Sequence, residues 1–213
     1  MQRRNGRGPA ANLRQIQTEH HYKIMKNSHN YICGATTRGT VNIMDSVSFN
    51  VVKTWQAHSA FINDMDAQGT FVVTCGAALK QQGTTYMFDP YVNVFDLKNM
   101  TSMSPIPFPP LAAYVRMHPR MMTTSIVVSQ QGQIHIIDLL NPNTSNVKQA
   151  NVMHFLTRVE IAPTGEALAL ADSECYMHLW GSRSKIQFTE IPAPIELPAE
   201  EEPVSHIDWT PET

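Results

Sequence analysis

Two carboxylates separated by a single residue, in Asp64-Met65-Asp66, are the closest approach to a catalytic pair in the sequence. Residues two apart on a β-strand share a face, so these acids could in principle hold a divalent cation. Metal-dependent nucleases need several converging ligands, and two acids fall short of that. Solvated or turn-bonding carboxylates are therefore expected here. None of the nine histidines has zinc-ligand spacing beside cysteines or carboxylates, and the adjacent His20 and His21 would point in different directions in any regular structure. Cys33, Cys75 and Cys175 show neither paired spacing nor an even count, which argues against a disulfide framework and for a reducing compartment. No glycine-rich loop precedes a helix and no Gly-x-Ser-x-Gly turn occurs, so phosphate cradling and serine hydrolysis have no support. No catalytic residue, no metal ligand and no cofactor is assigned to this chain.

The histidines fit better as parts of a repeat. Val41-Asn42-Ile43-Met44-Asp45, Val92-Asn93-Val94-Phe95-Asp96, Ile134-His135-Ile136-Ile137-Asp138 and Met177-His178-Leu179-Trp180-Gly181 share one alternating pattern. A period of roughly 40–45 residues, built of strands and turns with no helical pattern between, is the signature of a WD-type β-propeller. Four units of four strands follow, at about 20–58, 59–110, 111–153 and 154–192, with edges good to ~2–4 residues. In the second unit the strands are read as Phe61–Asp66, Phe71–Ala77, the 91–96 stamp and Ser104–Phe108.

Within this repeat, Asn42, Asn93, His135 and His178 form one column, expected to hydrogen-bond between blades. His58 and His154 stand before the first strand of their units, where WD repeats place a histidine that bonds a turn aspartate. Asp45, Asp96 and Asp138 close three of the stamps, and Trp180 alone keeps the tryptophan. All six are expected to be structural.

Cys33-Gly34-Ala35 and Cys75-Gly76-Ala77 keep the normal period while the following stamp is displaced, so an insertion lies between Ala77 and Tyr91. It joins the second and third strands of a blade, on the face that also carries the links between blades. Tyr86, Met87 and Phe88 within it are either a contact surface or a lengthened turn tucked onto the blade.

The remaining signals set the context. A net charge of −2 gives no general pull toward nucleic acid or acidic membranes, and no apolar run approaches the ~20 residues that span a bilayer, so no membrane partner is expected. Arg3, Arg4, Arg7 and Arg14 faintly resemble a mitochondrial presequence, but a disordered tail or a remnant strand over residues 1–18 is the expectation. Asn99-Met100-Thr101 and Asn143-Thr144-Ser145 fit the glycosylation pattern, without meaning in a cytosolic protein. Beyond Pro192 prolines alternate with glutamates, which reads as an extended linker over 193–213. It ends in Val204–Pro211, whose Trp209 is a candidate docking residue, onto a partner or onto a blade.

Three long phrases, "VVKTWQAHSAFINDMDAQ" (51–68), "YVNVFDLKNMTSMSPIPFPP" (91–110) and "VRMHPRMMTTSIVVSQQGQIHIIDLLNPNTSNVKQANV" (115–152), go beyond a generic repeat. They resemble the N-terminal WD-repeat propeller of the catalytic subunit of the PAN deadenylase, from about Glu19 to Thr210. The resemblance implies a seven-bladed propeller, a linker engaging a kinase-like regulatory subunit, and an exonuclease domain with two divalent metals outside this chain. It implies poly(A)-binding protein on poly(A) RNA as a further partner, and the cytoplasm with P-bodies as the location. Four blades where the family has seven suggest a fragment, whose two exposed blade faces would invite pairing. The expectation is a scaffold propeller acting in poly(A)-tail shortening, not an enzyme by itself. The competing expectations are a stand-alone adaptor unrelated to RNA decay and a metal enzyme built on Asp64 and Asp66.

Overall fold

Alternating apolar and polar residues make strands, and in the computed structural model every regular element is a strand; it describes Thr18 and residues 21–79 and 85–181. The first antiparallel sheet runs β1 (Tyr22–Ser28), β2 (Tyr31–Thr36), β3 (Thr40–Asp45), β4 (Val51–Gln56). The second is built on β5 (Ile62–Gln68), β6 (Phe71–Leu79) and β8 (Tyr91–Asp96), with β7 (Tyr86–Phe88) on β6, and β9 (Thr101–Ser102) and β10 (Ile106–Pro107) on β8. The third is β11 (Ala112–Met117), β12 (Thr124–Ser129), β13 (Gln133–Asp138), β14 (Asn146–Gln149). Of the fourth, the described residues hold β15 (Leu156–Ile161), β16 (Ala167–Asp172) and β17 (Met177–Gly181). These are four blades of a β-propeller. Of the strand expected over Ser104–Phe108 only Ile106–Pro107 is strand, as β10, and pairing with β8 begins earlier, at β9; between them stands Pro105, which has no N–H to give to a ladder. The expected N-terminal tail and C-terminal linker lie outside the described residues.

Successive blades pack face to face through three apolar layers. Cys33, Val41, Ile43 and Trp55 of the first blade meet Ile62, Met65, Val72 and Phe95 of the second, where Trp55 stacks on Phe95 at 4.7 Å. Val73, Val92, Val94 and Phe108 meet Val115, Val127 and Ile137. Ile126, Val128 and Ile134 meet Leu156, Val159, Leu168 and Leu170. Burial of such side chains, at about 1.5–3 kcal/mol each, is the main force holding blade to blade.

The four innermost strands share one irregularity. Each slips register once, between Tyr22 and Ile24, Ile62 and Asp64, Ala112 and Tyr114, and Leu156 and Arg158. A shared bulge brings equivalent residues into line along the inner edge. Lys26, Asp66, Arg116 and Glu160 then form a column of alternating charge. Lys26 Nζ lies 3.2 Å from Asp66, and Arg116 donates to both oxygens of Glu160, at 2.9 and 3.1 Å. Arg116 also reaches back to Asp64, whose other contacts are the Val115 and Met65 amides, while Asp66 accepts from the Met117 amide at 2.8 Å. Burial pushes the Asp64 carboxyl above the ordinary range, against the pull of the Arg116 charge. The two acids are therefore neither solvated nor turn-bonding, as the sequence suggested, and their oxygens are already committed to Arg116, Lys26 and backbone amides.

Contact between blades also runs through turns. Gly165, at φ +76°, lets the β15–β16 turn approach the third blade, where His118 Nε2 lies 3.1 Å from the Gly165 carbonyl oxygen. A side chain at 165 would strike the His118 ring.

Arg116→Met leaves Asp64 buried without its cation and is expected to cost about 3–5 kcal/mol in urea unfolding, with most of the loss recovered in Arg116→Met/Asp64→Leu. Glu160, far more exposed, is expected to cost under about 1 kcal/mol as Glu160→Gln.

Candidate functional site

The insertion between Ala77 and Tyr91 lengthens a hairpin. β6 runs on to Leu79 and pairs with β7 through Ala77 and Phe88, Ala78 and Met87, and Leu79 and Tyr86. The Tyr86 ring meets Phe61 edge-on at 5.6 Å, yet Tyr86 stays 57 % exposed and Met87 40 % exposed, with Phe88 half-buried. The hairpin is thus both packed onto the link before β5 and open to solvent. Trp209, the other candidate contact residue, lies outside the described residues.

The hairpin returns to the sheet through Asp89, and a buried histidine holds it there. His58, 1 % exposed, places Nδ1 3.0 Å from Asp89 Oδ2 and Nε2 3.1 Å from Thr74 Oγ1. A carboxylate only accepts, so Nδ1 carries the proton and donates to Asp89, and Nε2 accepts from the Thr74 hydroxyl. Asp89 also caps the turn by accepting from the Tyr91 amide at 3.0 Å. Gly76 is required beside this cluster, because an added Cβ would lie 2.7 Å from the His58 ring. Burial lowers the His58 pKa from its ordinary value, while Asp89 pulls it up.

The other repeat residues divide by role. Asp45, Asp96 and Asp138 bond none of the histidines. They close the turn after each third strand by accepting from the amides of Ser48, Lys98 and Leu140, at 2.7, 2.8 and 3.2 Å. His154 does not lock its blade and stacks on Tyr176 at the surface, with ring centroids 6.5 Å apart. In that blade the lock lies between Asp172 Oδ2 and His178 Nε2, 3.0 Å apart. Burial would raise the Asp172 carboxyl, but His178 and the Tyr176 and Glu174 amides take it below the usual range. Trp180 is half-buried against the third blade, at a crevice of about 400 Å³ lined by Ile126, Ile134, Ile136 and Leu168.

The polar column of the third strands finds its partners mostly inside its own blades. Asn93 donates to the Ala57 carbonyl on the link between blades at 2.7 Å, but Asn42 bonds Tyr22 and Thr54 of its own sheet. His135 meets Phe108 edge-on, and its buried Nε2 has no hydrogen-bond partner among the described residues. Inter-blade bonding through this column, expected from the sequence, holds for Asn93 alone.

Beside the hairpin a cleft of about 280 Å³ is lined by Phe88, Pro109, Pro110, Leu111, Gln130, Gln131 and Phe155. It continues past Gln131 and Phe155 into a hollow of about 190 Å³ formed with Val152, Met153, His154 and Ser173. Phe155 is 60 % exposed and Met153 91 %. This is the face where links between blades meet the turns between second and third strands. It offers aromatic and thioether groups with side-chain amides, the chemistry of a contact surface. Among the described residues no three His, Cys, Asp or Glu side chains converge as a metal would require. Cys33 and Cys75 are buried, and burial pushes the Cys33 thiol up to about 12. Asp89, two residues before β8, and Asp172, the last residue of β16, are the lock residues that repeat spacing missed; they flank the turn between second and third strands but share no single register.

His58→Ala removes a partner from both Asp89 and Thr74 and is expected to cost about 1–3 kcal/mol. In the native protein burial lowers the His58 pKa, whereas unfolded it protonates near ~6.5. The unfolded chain therefore binds more protons below that pH, so His58 makes stability fall as pH drops from about 7 to 5. Urea titrations across that window are expected to show a shallower fall for His58→Ala.

The model of the family described as PAN2 N-terminal matches residues 14–181. The PAN2-PAN3 deadenylation complex catalytic subunit PAN2 of Chaetomium globosum is 63 % identical over 192 residues, covering 90 % of this chain and 17 % of that protein. That of Chaetomium thermophilum is 59 % identical over 202 residues, 94 % of this chain and 17 % of that protein. The chain thus spans 17 % of the length of these curated relatives. Among solved structures, the Neurospora crassa Pan2 WD40 domain matches with a TM-score of 0.76 at 51 % identity, over 84 % of this chain and 55 % of that one. The Myceliophteria thermophila Cps50 (Swd1) β-propeller domain matches with a TM-score of 0.62 at 16 % identity, over 79 % of this chain and 54 % of that one, which speaks to fold alone. With a family model matched from residue 14 to the end of the last described strand, the chain belongs to the PAN2 N-terminal family.

Proposed function

We propose that this chain is the scaffold and interaction propeller of a deadenylase catalytic subunit and acts in shortening messenger poly(A) tails. The observation that carries this reading is 63 % identity across 90 % of the chain to a protein named as the catalytic subunit of the PAN2-PAN3 deadenylation complex. The relatives' names pair that subunit with PAN3, so a regulatory subunit of that kind is the first partner. Poly(A)-binding protein on poly(A) RNA is the second, and the cytoplasm with its P-bodies is where they would meet. Adenylate removal, with its divalent metals, we assign to a nuclease domain outside these residues.

The propeller's own chemistry supports contact over catalysis. Its buried ions serve blade packing, and the groups it shows to solvent around the hairpin and cleft are Tyr86, Met87, Met153 and Phe155. A metal enzyme on Asp64 and Asp66 is not favoured, since Arg116, Lys26 and backbone amides occupy those carboxylates. A stand-alone adaptor is not favoured either, because the identity extends through nearly the whole chain.

Affinity purification of the tagged protein from its source cells is expected to bring down the regulatory subunit; recovery of complexes that lack it would overturn the reading. Tyr86→Ala/Met87→Ala/Phe155→Ala is expected to weaken binding to poly(A) RNA coated with poly(A)-binding protein by about tenfold, or ~1.4 kcal/mol. Its thermal unfolding should stay near that of the parent, as these side chains are largely exposed.

A further inference from the structure

The face of the fourth blade turned away from the third repeats a pattern that is buried in the first two blades and, but for Ile136, in the third. In the first blade that face is built of Cys33, Ala35, Val41 and Ile43, all 0 % exposed, and in the second of Val73, Cys75, Val92 and Val94, at most 1 % exposed. In the third, Ile126, Val128 and Ile134 are at most 6 % exposed, and Ile136, at the outer end of the face, is 36 % exposed. The fourth blade places Ala169 beside Leu179 and Ala171 beside Met177 at the same positions, yet Leu179 is 49 % exposed and Met177 69 %.

Each buried face is covered in one way. The first strand of the next blade supplies two apolar residues that bracket the shared bulge: Ile62 and Met65, then Ala112 and Val115, then Leu156 and Val159. Outside the described residues, Val204-Ser205-His206-Ile207-Asp208-Trp209 carries Val204 and Ile207 at that spacing. Pro211 stands at the same remove from Ile207 as Pro119 from Val115 and Pro163 from Val159. A charged residue follows the second apolar position in every case, as Asp66, Arg116, Glu160 and Asp208.

Charge adds a second, independent match. Asp64, just past the bulge of the second blade, holds Arg116 of the third. The residue just past the bulge of the fourth blade is Arg158, whose side chain is exposed and, apart from a longer-range attraction to Glu160, makes no hydrogen bond or ion pair among the described residues. The residue equivalent to Arg116 in the distal segment is Asp208. The Asp64 and Arg116 pair would thus recur with its signs exchanged.

We infer that the occupant of the fourth blade's exposed face is this chain's own segment Val204–Trp209, seated as β5, β11 and β15 are seated on the blades before them, with Asp208 against Arg158. This replaces the extended-linker expectation for those residues, and it does not depend on the deadenylase reading.

The test is hydrogen–deuterium exchange on the full chain, in the parent and in Arg158→Glu, Asp208→Arg and the two combined. Amides of residues 204–209 are expected to exchange at least about tenfold slower than an unstructured peptide in the parent, to lose that protection in each single variant and to regain it in the double. Exchange across residues 22–150 serves as the check that each variant is folded. Free exchange of 204–209 in the parent, or protection that the single reversals leave intact, or loss that the double reversal fails to restore, would overturn the proposal.

Discussion

The guanidinium of Arg116 ties three blades together at their inner edge. It bonds Asp64 of the blade before and both oxygens of Glu160 of the blade after, from a strand with apolar layers on either side. A charge so placed tolerates little displacement, because any shift leaves a desolvated ion without its partner. The constraint propagates outward. The bulge in each inner strand sets which residues reach the inner edge, and the same bulge sets which apolar pair faces the preceding blade. Ionic register and hydrophobic register are therefore one feature of the backbone, and neither can slip without the other.

The outer parts of each blade answer to separate, local devices. In the second blade, the His58, Thr74 and Asp89 cluster fastens the return of the lengthened hairpin to the sheet, which keeps Tyr86 and Met87 beside the cleft without burying them. In the fourth, Asp172 and His178 do the equivalent work within one sheet. A rigid inner edge with loops individually fastened to it suits a protein whose surface must be presented in a constant arrangement to large partners, as a deadenylase scaffold would require.

Much of this was legible in the sequence. The four units follow from the spacing of the third strands, and the displacement of Tyr91–Asp96 located the hairpin, because strand alternation and repeat period are properties of neighbouring residues. What escaped was set by contacts between units. Asp64 read as a surface acid because its partner, Arg116, lies in the next repeat, where nothing local marks it. Asp89 lies inside the insertion, out of the repeat's frame, so it shares no register with the stamp aspartates Asp45, Asp96 and Asp138. His118, which bonds the turn of the next blade at Gly165, carries no repeat signature at all. The prolines around Ile106 were visible, but their effect depended on which strand edge they met.

If Arg116 makes the inner strands one cooperative unit, the amides of β5, β11 and β15 open together. Native-state hydrogen exchange in rising urea, compared between the parent and Arg116→Ala, measures this most directly. The predicted result is one common opening free energy for the three strands in the parent, splitting into separate values in the variant. Three different opening energies already present in the parent, or a common value unchanged by the substitution, would contradict the account.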